Sequence, residues 1–181
     1  MVLAANRTRD TVDRQLAVAR LDAETDTLTD LMNRRGWERV VAEESTRFRR
    51  FGDPTVVAMI DLDSLKVIND EQGHEAGDDY IRVAGQALRS AVRGDDVVAR
   101  LGSDEFGVLM RSCTQVQAAD RIARLYGRLE EHGVAGSVGW APISVLRGFP
   151  AALAEADEAM YAAKRARRRR RSHAPAPAGR G

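Results

Sequence analysis

The sequence predicts an α+β fold: a central, mostly antiparallel sheet of about five strands flanked by helices. Three observations predict it. Short β-branched runs alternate with longer amphipathic segments. Two of the short runs are separated by only four polar residues, as in a hairpin. The 181 residues, 44% hydrophobic and 30% charged, give one domain of ordinary size with flanking segments.

Residues 7–24 place Val12, Leu16, Ala19 and Ala23 at steps of four, three and four. This thin apolar seam suits a short N-terminal stalk helix or an amphipathic helix packed on its own domain. Asp26, Thr27 and Thr29 break the pattern, because their side chains compete for backbone hydrogen bonds. A second helix is predicted over 33–51, ended by Gly52-Asp53-Pro54. Residues 55–61 form a buried strand that ends in acid. A short helix over 64–71 stops at Gly73, and a longer one over 77–92 carries Ile81, Ala84, Leu88 and Val92 at helical spacing. Val97 to Leu101 and Phe106 to Met110 make the hairpin, with Gly102-Ser103-Asp104-Glu105 as its turn. A helix over 114–131 turns Val116, Ala119, Ile122, Ala123 and Leu125 inward. A strand over 134–140 follows, and Pro150 opens a last helix that runs into the basic stretch. The Ala/Pro-rich tail from Ser172 is too poor in bulky apolar residues to fold.

No apolar run approaches the roughly 18 residues of a membrane span. The opening residues lack the apolar stretch of a secretory signal, so a cytoplasmic location is expected. Cys113 is the single cysteine, which excludes an intrachain disulfide or a cysteine-built zinc site. The net charge of +1 hides an asymmetry: eight basic and no acidic residues lie from Lys164 onward, leaving 20 basic against 27 acidic, a net −7, in residues 1–163. An acidic body argues against a nucleic-acid-binding domain, and no specific nucleic acid is expected as a partner.

The chemistry gathers at the end of the first strand and at the hairpin turn. Of Asp61 and Asp63, one is expected to face that turn, where Asp61 with Asp104 or Glu105 makes the oxygen-rich cluster that magnesium prefers. Two solvated turn carboxylates are the bland alternative. The chain has 26 arginines and only two lysines, Lys66 and Lys164. Lys66, five residues after Asp61, supplies a compact point charge for a phosphate. Acids for a metal, a lysine for phosphate and a turn with free N–H groups are parts of a phosphoryl-transfer site.

Asp61-Leu-Asp63-Ser-Leu-Lys66-Val-Ile-Asn69-Asp70, Gly73-His74-Glu-Ala-Gly77-Asp78 and Arg100-Leu-Gly102-Ser103-Asp104-Glu105-Phe106 resemble a GGDEF domain, the diguanylate cyclase family, with a variant GSDEF signature. Asp26-Thr-Leu28-Thr29-Asp-Leu31-Met-Asn33-Arg34-Arg35 is similar to the family's opening motif, Ser137-Val-Gly139 to its late strand, and Ala156-Asp157-Glu-Ala-Met160-Tyr161-Ala-Ala-Lys164 to its final helix. The resemblance implies a nucleotidyl-cyclase-like fold with a ferredoxin-like palm over residues 25–168, between a stalk at 1–24 and a basic tail at 169–181. It implies a reaction in which two GTP, one on each protomer of a homodimer, condense to cyclic di-GMP with release of two pyrophosphates. Asp61, Asp104 and the Leu62 carbonyl would hold Mg2+ or Mn2+. Asp104, with Glu105 as second choice, would assist removal of the 3′-hydroxyl proton. Lys66, Lys164 and Arg168 would contact phosphates, with Gly102 and Ser103 beside the nucleotide. Asn69, Asp78 and nearby His74 would read guanine. Arg93 and Asp96 resemble the family's RxxD site, where product binds and inhibits.

Four residues depart from the family pattern. Ser103 stands where the signature has its second glycine: its Cβ takes space where the backbone is expected to approach the nucleotide, or a left-handed backbone there would cost a serine about 1–2 kcal/mol. Asp30 replaces a glycine of the opening motif, Leu65 a phenylalanine, and Arg167 the glycine after the final helix motif. A catalytically degenerate domain that senses cyclic di-GMP or GTP is the alternative function, and a pure interaction module is a third. No sensor domain fits within these residues, so an upstream partner, product feedback or a longer protein is expected to supply the input.

Overall fold

The computed structural model describes residue 21 and residues 23–173, with side chains described to residue 170. Its elements are α1 (Arg34–Phe51), β1 (Val56–Leu62), α2 (Leu65–Gln72), α3 (His74–Ala91), β2 (Val97–Arg100), β3 (Glu105–Met110), α4 (Gln115–Glu131), β4 (Gly136–Pro142) and α5 (Gly148–His173). The order matches the one expected. The sheet has four strands in the order β2-β3-β1-β4, and every neighbouring pair is antiparallel.

The described residues hold four strands, the four segments marked in the sequence, rather than about five. Residues 25–32, which precede α1, fold into a turn with the single bridges Thr25–Met32 and Met32–Ala99 and add no strand to the sheet. Asp26 holds that turn by accepting from the backbone N–H and hydroxyl of Thr29. Asn33 then caps α1 through the N–H of Gly36, and Thr114 with Gln117 forms a reciprocal capping box at α4.

Side chains alternate across β1 and divide the core in two. Val56, Ala58, Ile60 and Leu62 pack with Phe106 and Val108 against α3 and α4. Val57, with Leu109 and Ala141, faces α1 and α5, where Phe48 and Phe149 meet edge to face at 6.3 Å. Gly139 lets α5 approach the sheet closely: a Cβ there would lie 2.1 Å from the Ala156 carbonyl oxygen and from the Met160 nitrogen.

Several expected details are corrected. The inward stripe of α4 is Ala118, Arg121, Ile122, Leu125 and Leu129, whereas Val116, Ala119 and Ala123 are exposed. A buried arginine disguises that stripe in the sequence. α3 starts at His74 rather than residue 77, directly after Gly73 at φ 88°. The last helix does run into the basic stretch as expected, and α5 continues to His173. The proposed stalk and the tail beyond residue 173 lie outside the described residues, apart from helical positions 21, 23 and 24.

Candidate active site

Asp61 is the last inward position of β1 on the α5 side, 7% exposed, and its Cα partners are Glu105 on β3 and Ser137 on β4. The neighbouring Leu62 N–H donates to the Asp104 carbonyl at 2.9 Å, which stitches the hairpin turn to the end of β1. From α5, the Lys164 ammonium donates to both carboxylate oxygens of Asp61, at 2.6 and 2.7 Å. Burial pushes the Asp61 carboxyl above its ordinary value. Lys164 pulls it back, the charges of Asp104 and Asp63 add to the rise, and the net direction is upward.

The expectation that only one of Asp61 and Asp63 turns toward the site is corrected. Residues two apart on an extended chain share a side, and both acids meet α5. Asp63 accepts from Ser137 Oγ at 2.8 Å and from Arg167 at 2.9 Å. The same arginine donates to the Gly136 carbonyl at 2.7 Å and lies over the Tyr126 ring. Arg167 therefore pins the end of α5 to the start of β4.

Two further arginines, for which no role was expected, hold the turn. Arg100 donates to the carbonyls of Gly102 and Ser103 and pairs with Asp26. Arg34 donates to the Leu101 carbonyl at 2.7 Å and reaches Glu105 at 3.6 Å. Ser103 causes no backbone strain: among the described residues, non-glycine positions in the left-handed region are Asp30 (φ 57°) and Ser112 (φ 45°). The expected cost falls instead on Asp30, another residue in a glycine position, and aspartate tolerates this conformation better than most.

Asp26 gives the turn a pH dependence. Burial works to raise its pKa, but the Thr29 hydrogen bonds and the Arg100 charge outweigh it, so the value lies below 3.8. A depressed carboxyl adds stability that is present above its unfolded pKa and is lost as pH falls through its folded one. The stability gap between parent and Asp26→Asn, measured by urea unfolding, is therefore expected to be wide at pH 7 and to narrow toward pH 3. A constant gap would show that Asp26 is not held as an anion.

A family model described as "Diguanylate cyclase, GGDEF domain" matches residues 23–170. The chain belongs to the GGDEF family. It is 34% identical over 154 residues to the probable diguanylate cyclase DgcC of Escherichia coli K12, a match that covers 80% of this chain and 42% of that protein. The chain thus spans less than half the length of this curated relative. Among solved structures, diguanylate cyclase SiaD of Pseudomonas aeruginosa in complex with its activator SiaC superimposes with a TM-score of 0.80 at 27% identity, covering 90% of this chain and 66% of that one. The coiled coil and GGDEF domain of DgcB from Caulobacter crescentus, in complex with c-di-GMP, shares the fold at a TM-score of 0.80 and 22% identity, covering 91% and 93%.

The remaining expected residues of this GGDEF domain fall into two groups. Lys66 and Asn69 lie on α2, which starts three residues after β1 ends, and His74 and Asp78 share one face at the start of α3. The Asn69 carboxamide rests against the backbone of Gly77, where a Cβ would sit 1.8 Å from its Oδ1. Lys66, His74, Asp78 and Arg168 are exposed, and their side chains make no hydrogen bond or ion pair among the described residues. Arg168 lines a cleft of about 350 Å3 with Asp63, Ala135, Arg167 and Arg170.

Arg93 and Asp96 form the second group, in the turn before β2. Arg93 is exposed, but Asp96 is buried and fully engaged, accepting from the N–H groups of Arg93 and Arg111 and pairing with Arg121. The resemblance implies a product ligand at Asp96; in the structure Asp96 holds the buried Arg121 in place.

The residues fit a divalent cation at Asp61 and Asp104. Asp61 is a desolvated carboxylate beside other acids, and the Lys164 ammonium already occupies the place of a cation on it. Among the described residues no set of three or more His, Cys, Asp or Glu closes round a cation. Such a site leaves coordination positions for water and for ligand oxygens around a divalent cation.

Proposed function

We propose that this chain is a diguanylate cyclase that condenses two GTP into cyclic di-GMP and two pyrophosphates, with one nucleotide on each protomer of a homodimer. The observation that carries the reading is the meeting of Asp61 and Asp104 at adjacent strand ends, with the Lys164 ammonium seated on Asp61. Asp61, Asp104 and the Leu62 carbonyl hold Mg2+, or Mn2+ in its place. When bound, the metal polarises the α-phosphate and favours loss of the 3′-hydroxyl proton. Asp104 accepts that proton; Glu105 is less free for the task because Arg34 lies beside it. Lys66 and Arg168, unpartnered in the described structure, bind phosphates, and Lys164 moves from Asp61 to join them. Asn69 and Asp78, with His74 beside them, read the guanine edge, while Gly102 and Ser103 form the floor under the nucleotide.

Arg93 and Asp96 bind product and inhibit, which requires cyclic di-GMP to compete with Arg121 for Asp96. An upstream sensor or activator supplies the input, and the cytoplasm, where GTP is made and used, is the compartment. The alternative is a catalytically degenerate receptor for cyclic di-GMP or GTP, and backbone strain at Ser103 does not argue for it, since Ser103 is outside the left-handed region. Purified protein incubated with GTP and excess Mg2+ is expected to yield cyclic di-GMP by mass spectrometry, to stop on chelation and to recover when Mg2+ is restored. No product at protein concentrations where a dimer is present would refute the reading.

A further inference from the structure

We propose that Ser103 is a positioning residue that orients the Asp104 carboxylate. The inference rests on the functional reading above, in which Asp104 holds the metal and takes a proton. Ser103 Oγ lies 2.8 Å from Asp104 Oδ1, and since the carboxylate only accepts, the hydroxyl donates. Such a bond to an anion is about twice as strong as one between neutral groups.

The surrounding backbone gives this bond its effect. Arg100 holds the carbonyls of Gly102 and Ser103 at 3.0 and 3.1 Å, and Leu62 holds that of Asp104 at 2.9 Å. With three successive carbonyls fixed, the freedom left to Asp104 is its own side-chain rotation, and the Ser103 hydroxyl is its one hydrogen-bond donor among the described residues. One oxygen is thus engaged and the other left for a ligand. Because Ser103 has ordinary backbone angles, glycine would gain nothing in conformation here and would lose the donor. The serine that marks the departure from the family signature supplies an orienting contact that a glycine cannot make. A carboxylate fixed before its ligand arrives binds and reacts without first losing rotational freedom.

The test is a Mn2+ titration followed by electron paramagnetic resonance on the full chain, without nucleotide, for the parent, Asp104→Asn, Ser103→Ala, Ser103→Gly and Ser103→Thr. Cyclic di-GMP kinetics are run beside it. Asp104→Asn is expected to weaken Mn2+ at least tenfold. Ser103→Ala and Ser103→Gly are each expected to weaken it three- to tenfold and to lower kcat by at least as much. Ser103→Thr, which keeps the hydroxyl, is expected to return both values to within threefold of the parent. Unchanged Mn2+ affinity in the alanine and glycine variants, or in Asp104→Asn, would overturn the proposal. A parent that binds Mn2+ through Asp104 yet forms no product would refute the cyclase reading alone, leaving Ser103 to be judged on the Mn2+ affinities.

Discussion

Asp104→Asn is expected to lower cyclic di-GMP formation by about a thousandfold or more, about 4 kcal/mol of transition-state stabilisation, while the thermal midpoint stays within about 2 °C of the parent. Asparagine keeps the size of the side chain and an oxygen to accept from Ser103. It lacks the charge that a cation requires and cannot serve as a base at neutral pH. The fold should not register the change, because Asp104 is only half-buried and its side chain bonds only Ser103 among the described residues. Rates measured at saturating GTP with several Mg2+ concentrations separate the possibilities. A variant within tenfold of the parent at every Mg2+ concentration would remove Asp104 from the chemistry.

Gly139→Ala is expected to be the most destabilising single-methyl addition in the sheet, at about 3 kcal/mol or more, with a fall of about 10 °C in Tm for a domain of this size. The new Cβ would meet the backbone of α5 at Ala156 and Met160, both at 2.1 Å. Backbone atoms in mid-helix cannot swing aside as a side-chain tip can, so the whole helix must lift. Lys164 and Arg167 ride on that helix and would lose their seats on Asp61 and Asp63, so activity should fall further than stability alone accounts for. Gly127→Ala is the control. It lies within α4 with nothing inside 4 Å of its Cβ position, and removing a helical glycine there should be neutral or mildly stabilising. Equal midpoints for the two variants would show that α5 does not seat on Gly139.

The main elements are legible because their signals are local. β1 is a β-branched run, the β2–β3 turn is four polar residues, and Asn33 and Thr114 are capping types immediately before helical periodicity. The acids and lysines of the site stand out because Asp61 closes a buried run and lysine is so rare here. Contacts between distant segments are less visible. Arg100, Arg34 and Arg167 read as three among 26 arginines, yet the structure sends each to a particular carbonyl or carboxylate. Arg121 hides the inward face of α4 because a buried arginine looks like solvent-facing sequence until Asp96 is known to lie opposite it. The glycine positions teach the reverse lesson. Of the two non-glycine residues set in turn glycine positions of the family pattern, Asp30 takes the left-handed backbone and Ser103 does not, a distinction that depends on the three-dimensional path of each turn.

The two ion pairs from α5 to Asp61 and Asp63 bear on how the protein comes into being. Metal-dependent folds such as zinc fingers stay unfolded until their ion arrives. Here each acid that would otherwise repel its neighbour already has a cation from the chain's own last helix. The two acids are thus charge-balanced by the chain itself, so seating α5 on the sheet relieves a repulsion that would otherwise stand at the end of β1.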